Sequence, residues 1–126
     1  MQSNNLKIML IDDDVTNNII TKKLLLKYNP SFSVQEYKSA NEALTALKNG
    51  SFKPSLIFLD INMPDMNGWQ FLDKFTALRM NVSIYLLTSS VDVLDIERAK
   101  TSQYLQGFIS KPLTQMKIQQ VLDESF

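Results

Sequence analysis

The 126-residue chain contains neither cysteine nor histidine. The first absence removes disulfides, thiolate catalysis and cysteine metal sites, and fits an intracellular protein. The second removes a serine-histidine triad, a histidine metal site and any phosphohistidine carried by the chain itself, so chemistry of that kind must come from a partner. Net charge is missing too. Thirteen basic residues balance 13 acidic ones, which argues against a nucleic-acid footprint or a polybasic membrane patch. No apolar run approaches the ~20 residues needed to span a bilayer, and Met1-Gln2-Ser3-Asn4-Asn5 has no signal-peptide pattern. The expectation is a soluble, cytoplasmic protein that binds neither nucleic acid nor membrane. Its length suits one domain over residues 1–126, with no room for a second.

What is present alternates between two periods. Leu6 to Ile11 is an apolar run ending in Asp12, Asp13 and Asp14, and it reads as a first strand. From Val15 the spacing turns helical, with Ile19, Ile20, Leu24, Leu25 and Tyr28 expected on one inward face until Asn29-Pro30. Phe32 to Tyr37 reads as a second strand. Ser39 with Glu42 is a capping-box signature for a helix through Ala43, Leu44 and Leu47 to Gly50. The unbroken run from Ser55 to Asp60 suits a strand buried on both faces. After the Pro-Asp-Met-Asn-Gly turn a helix carries Trp69, Leu72, Phe75 and Leu78. Val82 to Leu87 is a fourth strand, closing on Thr88-Ser89-Ser90. A thin stripe of Val93, Ile96 and Ala99 predicts a fourth helix over 92–100. Leu105 to Ser110 is a fifth strand, and after Lys111-Pro112 a last helix, capped by Thr114, carries Met116, Ile118, Val121 and Leu122.

Strands that alternate with helices through short connections predict an α/β fold, a parallel sheet with helices on both faces. All strand ends then face one way, and ligands bind beyond them. This brings Asp12-Asp13, Asp60, Thr88 and Lys111 to a single rim. Each has a plainer reading alone: Asp12 to Asp14 as a helix cap, Asp60 as a turn residue, Thr88 as part of a capping turn, Lys111 as a solvated lysine. Together they are the residue types a dication-and-phosphate site needs. Two carboxylates about 4 Å apart repel by roughly 4 kcal/mol at an effective dielectric of about 20, so the cluster calls for a cation. Oxygen ligands favour a hard ion, and Mg2+ suits a site with open positions. A carboxylate beside it is a competent nucleophile toward phosphorus, while Lys111 and Thr88 can hold phosphoryl oxygens.

Ile11-Asp12-Asp13-Asp14, the stretch Leu59-Asp60-Ile61-Asn62-Met63-Pro64-Asp65-Met66-Asn67-Gly68, Leu87-Thr88-Ser89-Ser90 and Phe108-Ile109-Ser110-Lys111-Pro112 resemble the receiver domain of two-component response regulators over nearly the whole chain. The resemblance implies a flavodoxin-like (βα)5 three-layer sandwich with strand order 2-1-3-4-5. It implies that Asp60 accepts a phosphoryl group from a phosphohistidine on a sensor histidine kinase or histidine phosphotransfer protein. Mg2+ would be bound by Asp13, Asp60 and the backbone carbonyl of Asn62, with Asp12 helping through water. Lys111 would contact the phosphoryl group, and its bond to Pro112 would be cis. Thr88 would be drawn toward the phosphate as Phe108 turns inward, altering the face of the predicted fourth helix, the fifth strand and the last helix that meets a downstream protein. A plain core aromatic is the other reading of Phe108. The protein would be a stand-alone regulator without an output domain, a monomer or a phosphorylation-dependent dimer, and not an enzyme beyond its own phosphoryl transfer and hydrolysis.

Some positions depart from the family's common pattern. Ser89 stands where alanine or glycine is usual, and Leu113 where phenylalanine is frequent; Asn62, Ser89 and Ser90 are positions expected to tune dephosphorylation. Two alternatives remain. Asp12-Asp13-Asp14-Val15-Thr16 also fits the first motif of haloacid-dehalogenase-type phosphatases, in which Asp12 would be the nucleophile, with Thr88 and Lys111 as later motifs. That reading leaves Asp60 without a role and offers only Asp123 and Glu124 as a late acidic motif. The other alternative is a receiver-like binding module that takes no phosphate.

Overall fold

Five short strands, β1 (Lys7–Ile11), β2 (Ser33–Tyr37), β3 (Leu56–Asp60), β4 (Ser83–Thr88) and β5 (Leu105–Ser110), form one parallel sheet in the order β2-β1-β3-β4-β5. The computed structural model describes residues 5–88, 97, 98, 100 and 105–126. Four helices are described in full: α1 (Val15–Tyr28), α2 (Ala40–Asn49), α3 (Gly68–Thr76) and α4 (Gln115–Ser125). The helix predicted over 92–100 lies largely outside the described residues, of which Glu97, Arg98 and Lys100 are helical. The fold is the expected flavodoxin-like one. The order and the parallel pairing are those that the resemblance implied.

Strand pleating divides the core. Met9, Ile11, Ile57 and Leu59 point to the side of α2 and α3, where they meet Leu44, Leu47, Phe71 and Phe75. Their neighbours Ile8, Leu10, Leu56 and Phe58 point to the side of α1 and α4, against Leu25, Ile118, Val121 and Leu122. Leu10 pairs directly with Phe58. Asp12, just past β1, and Asp60, the last residue of β3, each two residues further along, therefore come level at the sheet's end and continue the parity of the α1 side.

The inward face of α1 differs from expectation. Asn18, Thr21 and Leu25 are its buried residues, whereas Ile19 and Ile20 are 44% and 52% exposed. The cause is local. The amide of Asn18 donates to the carbonyl of Asp12 at 2.9 Å in a buried position, and Asp14 caps the helix by accepting from Asn17 N at 3.1 Å. These two bonds set the phase of the helix, and one residue of phase is about 100° of rotation, enough to turn the isoleucines outward. Met116, expected on the inner stripe of α4, is likewise exposed, while Ile118, Val121 and Leu122 are buried.

The helix starts show a second difference. Ser39 accepts from Glu42 N at 3.1 Å as the capping-box signature predicts, but Asp65 also serves α2, its carboxylate accepting from Asn41 N at 3.0 Å and Ala40 N at 3.5 Å. A reciprocal capping box is found instead at α3, between Asn67 and Gln70. Thr114 caps α4 as expected, accepting from Lys117 N at 3.2 Å.

Candidate functional site

The loop after Asp60 is fastened at several points. Ile61, Met63 and Met66 insert into the core, Asp65 ties the loop to α2, and Gly68 N donates to Ile61 O at 2.7 Å. Burial raises the Asp65 carboxyl, but backbone N–H groups of Asn41, Ala40, Met66 and Asp65 itself outweigh it and hold the group below the ordinary range. Gly68 is required by close approach. A Cβ there would lie 3.1 Å from Ile61 Cα and 3.2 Å from the Asp60 carbonyl oxygen. Gly68→Ala should therefore push α3 off the loop, costing about 1–2 kcal/mol, read as a lower urea midpoint; an unchanged midpoint would show that the loop yields freely.

Asp12 stands just beyond β1, with its backbone N–H on Tyr37 O at 3.0 Å. Oδ1 accepts from Asp14 N at 2.9 Å. Oδ2 accepts from Asn17 Nδ2 and from Lys111 Nζ, each at 2.8 Å. The same ammonium is 3.5 Å from Asp60 Oδ1. Lys111 is placed by its own backbone, since its N–H donates to Thr88 O at 2.7 Å, and its bond to Pro112 is cis. Asp12 and Asp60 are buried, Asp13 is exposed, and one carboxylate oxygen from each lies within 4.8 Å of the other two.

The ammonium of Lys111 therefore contacts two of three clustered carboxylates. Burial, and then the neighbouring Asp12 charge, push the Asp60 carboxyl up to about 6, against the lowering influence of Lys111 and of the Asn62 backbone N–H. Burial works to lower Lys111, but its contacts with Asp12 and Asp60 prevail and raise it, so it stays charged at neutral pH. This donor set, all oxygen with an excess of negative charge, fits a hard dication.

The other expected site residues fall as follows. Thr88 is buried at the end of β4. The side chain of Asn62 is exposed. Phe108 is half-buried on β5 opposite Leu86 and packs against the core on the α2 and α3 side. Ser89 and Ser90 lie outside the described residues. Three contributors went unread in the sequence: Asn17 on the carboxylate of Asp12, Asn18 on its carbonyl, and Asp65 at the start of α2. Asparagine three and four residues into a segment after an acidic run has no motif of its own. Only the coordinates distinguish it from a solvated residue.

The family model described as the response regulator receiver domain matches residues 8–123. Chemotaxis protein CheY-3 of Vibrio cholerae is 31% identical over an alignment of 126 residues that covers 97% of this chain and 92% of that protein. The two-component response regulator ARR14 of Arabidopsis thaliana is 30% identical over 83 residues, which are 66% of this chain and only 21% of that relative. Among solved structures, a two-component response regulator from Cytophaga hutchinsonii superposes with a TM-score of 0.83 at 30% identity, covering 94% of this chain and 95% of that one. The match of the family model over nearly the whole chain and the full-length similarity to a chemotaxis protein agree with the fold, and the chain belongs to the response regulator receiver domain family.

Proposed function

We propose that the protein is a phosphoacceptor switch in a phosphorelay, taking a phosphoryl group onto Asp60 from a phosphohistidine of a sensor kinase or histidine phosphotransfer protein. The observation that carries this reading is the unequal use of the two buried carboxylates. Asp12 is engaged by Asp14 N, Asn17 and Lys111 at 2.8–2.9 Å. Asp60 meets the ammonium only at 3.5 Å, with the Asn62 backbone N–H as a further donor, so it is held less tightly and its oxygens are better available for attack. In the transfer a carboxylate oxygen of Asp60 bonds to phosphorus, the P–N bond breaks, and its electron pair stays on the imidazole. Mg2+ held by Asp13, Asp60 and the Asn62 carbonyl, with Asp12 acting through water, would offset the charge of the phosphoryl oxygens. Lys111 holds one phosphoryl oxygen and the Thr88 hydroxyl another. Movement of Thr88, with Phe108 turning inward, then alters the face formed by β5, α4 and the segment over 92–100, which a downstream protein meets. Asn62, Ser89 and Ser90 would govern how water reaches the aspartyl phosphate.

A protein donor also suits the exposed surface. Val15, Ile19 and Ile20 near the start of α1 and Met116 at the start of α4 are large apolar side chains left in solvent, and helix N-termini in a parallel α/β fold lie at the strand-end rim. A donor reaching Asp60 covers them. Ile20→Glu should slow transfer from a phosphohistidine protein about tenfold while leaving modification by acetyl phosphate unchanged. Equal rates from the protein donor would remove this collar from the interface.

The deciding experiment is intact mass after incubation with acetyl phosphate and Mg2+. The native chain should gain one acid-labile phosphoryl group, Asp12→Ala should still gain it, more slowly, and Asp60→Ala should not. An adduct lost in Asp12→Ala but kept in Asp60→Ala would favour the phosphatase reading.

A further inference from the structure

Two adjacent asparagines hold the two ends of Asp12. Asn18 takes its carbonyl at 2.9 Å, and Asn17 takes its carboxylate at 2.8 Å, on the same Oδ2 that Lys111 contacts. We propose that Asn17 is a positioning residue that keeps Asp12 in place when Lys111 leaves it for the phosphoryl group. The proposal rests on Asp60 being the phosphoacceptor.

Lys111 Nζ already spans the two carboxylates, 2.8 Å from Asp12 and 3.5 Å from Asp60. A phosphoryl group on Asp60 adds oxygen acceptors and negative charge on the more distant side, which draws the ammonium across. Oδ2 of Asp12 then loses its charged donor. Asp12 is only 2% exposed, so bulk water cannot readily replace that donor; even with a Mg2+-bound water beside it, a buried carboxylate oxygen short of a donor carries part of its desolvation penalty. Asn17 prevents this. Its backbone N–H is fixed by the Asp14 cap at 3.1 Å, so the amide is held by α1 independently of Lys111. It is also neutral, and so does not compete with Lys111 for the phosphoryl oxygens as a second cation would. In the resting site two donors share Oδ2 and Asn17 is nearly redundant. In the phosphorylated site it is the side-chain donor that remains.

Asn17→Ala tests the idea with little risk to the fold, because the backbone cap survives and alanine favours a helix. Trp69, the one tryptophan, lies in the first turn of α3 and can report titrations with Mg2+ alone and then with beryllofluoride, an acyl-phosphate mimic, at saturating Mg2+. Asn17→Ala should keep its Mg2+ affinity within about twofold and its melting temperature close to native, yet bind beryllofluoride about tenfold more weakly. Asn17→Ser, with a shorter donor, should fall between. Equal beryllofluoride affinity in the native chain and Asn17→Ala would overturn the proposal, as would equal losses for Mg2+ and beryllofluoride, which would assign Asn17 to the resting site. A native chain that binds Mg2+ but not beryllofluoride would strike the Asp60 reading itself, and this proposal with it.

Discussion

Asp60→Asn is expected to be more stable than the native chain at neutral pH in the absence of Mg2+, by about 2 kcal/mol. The cause is the charge imbalance at the rim. Burial and the Asp12 charge raise the Asp60 carboxyl to about 6, above its ordinary 3.8. The folded state therefore binds this proton more tightly than the unfolded chain does. The contribution of Asp60 to stability is fully present below pH 3.8 and is lost as pH rises through about 6. A neutral asparagine carries no such loss. The gap between variant and native chain should thus be near zero at pH 4, open between pH 4 and 6, and stay constant above. Its size is set below the full linkage value, because water reaches the edge of the site. Urea unfolding in EDTA at pH 4.5, 6 and 7.5 measures it, and saturating Mg2+ should close the gap by stabilising the native chain alone. A less stable Asp60→Asn at pH 7.5 would mean that the Lys111 contact outweighs both burial and repulsion.

The opposite behaviour is expected of Asp65. Its carboxyl lies below the ordinary range, so its stabilising contribution is present above the ordinary carboxylate pKa and fades as pH falls through its folded value. The two aspartates, one ending β3 and one in the loop after it, pull the acid side of the stability profile in opposite directions. The buried charge of Asp60 carries an energetic cost, whereas Asp65 is a fastening.

This contrast also marks how far the sequence could be read. The strands and their common rim follow from the apolar runs and the alternation with helices, since parallel strands joined by right-handed crossovers have one possible direction for their ends. The flavodoxin-like order does not follow from those runs; it came with the motifs around Asp12, Asp60, Thr88 and Lys111. The phase of α1 was not legible. Apolar spacing favoured Ile19 and Ile20 inside, but the bond from Asn18 to the Asp12 carbonyl and the Asp14 cap decide which stripe faces the sheet. A count of apolar residues cannot see a hydrogen bond made to the preceding loop. Asp65 stands in a turn motif, yet its partners lie 24 and 25 positions away in α2. Such contacts depend on packing of loop against helix, which local spacing does not encode. Where hydrophobic periodicity and polar bonding agree, as in β3, the sequence suffices; where they conflict, as in α1, the cost of an unmade buried polar bond is comparable to that of half-exposing the isoleucines, and spacing alone does not decide the phase.

Lys111→Met should show the converse of Asp60→Asn. Its ammonium contacts two of the three clustered carboxylates, and Asp12 is 2% exposed. Removing one partner of a buried pair leaves the other charge uncompensated, and such breaks cost about 3–5 kcal/mol when fully enclosed. The rim position and the surviving bonds from Asp14 N and Asn17 to Asp12 reduce this to about 2–3 kcal/mol at pH 7.5 without Mg2+. Lys111 also lowers the Asp60 carboxyl, so in its absence Asp60 takes up a proton at higher pH and the deficit should shrink on acidification. Mg2+ should restore much of the lost stability, because a dication can neutralise the same carboxylates. It should not restore function to the same degree. Methionine offers no donor to a phosphoryl oxygen, so the acetyl phosphate adduct should form about a hundredfold more slowly even at saturating Mg2+. Chemical denaturation with and without Mg2+, together with adduct kinetics by mass, separates the two roles. Restored stability with slow modification would assign Lys111 both to charge balance at rest and to the phosphoryl group in transfer; native rates with Mg2+ would leave it only the first.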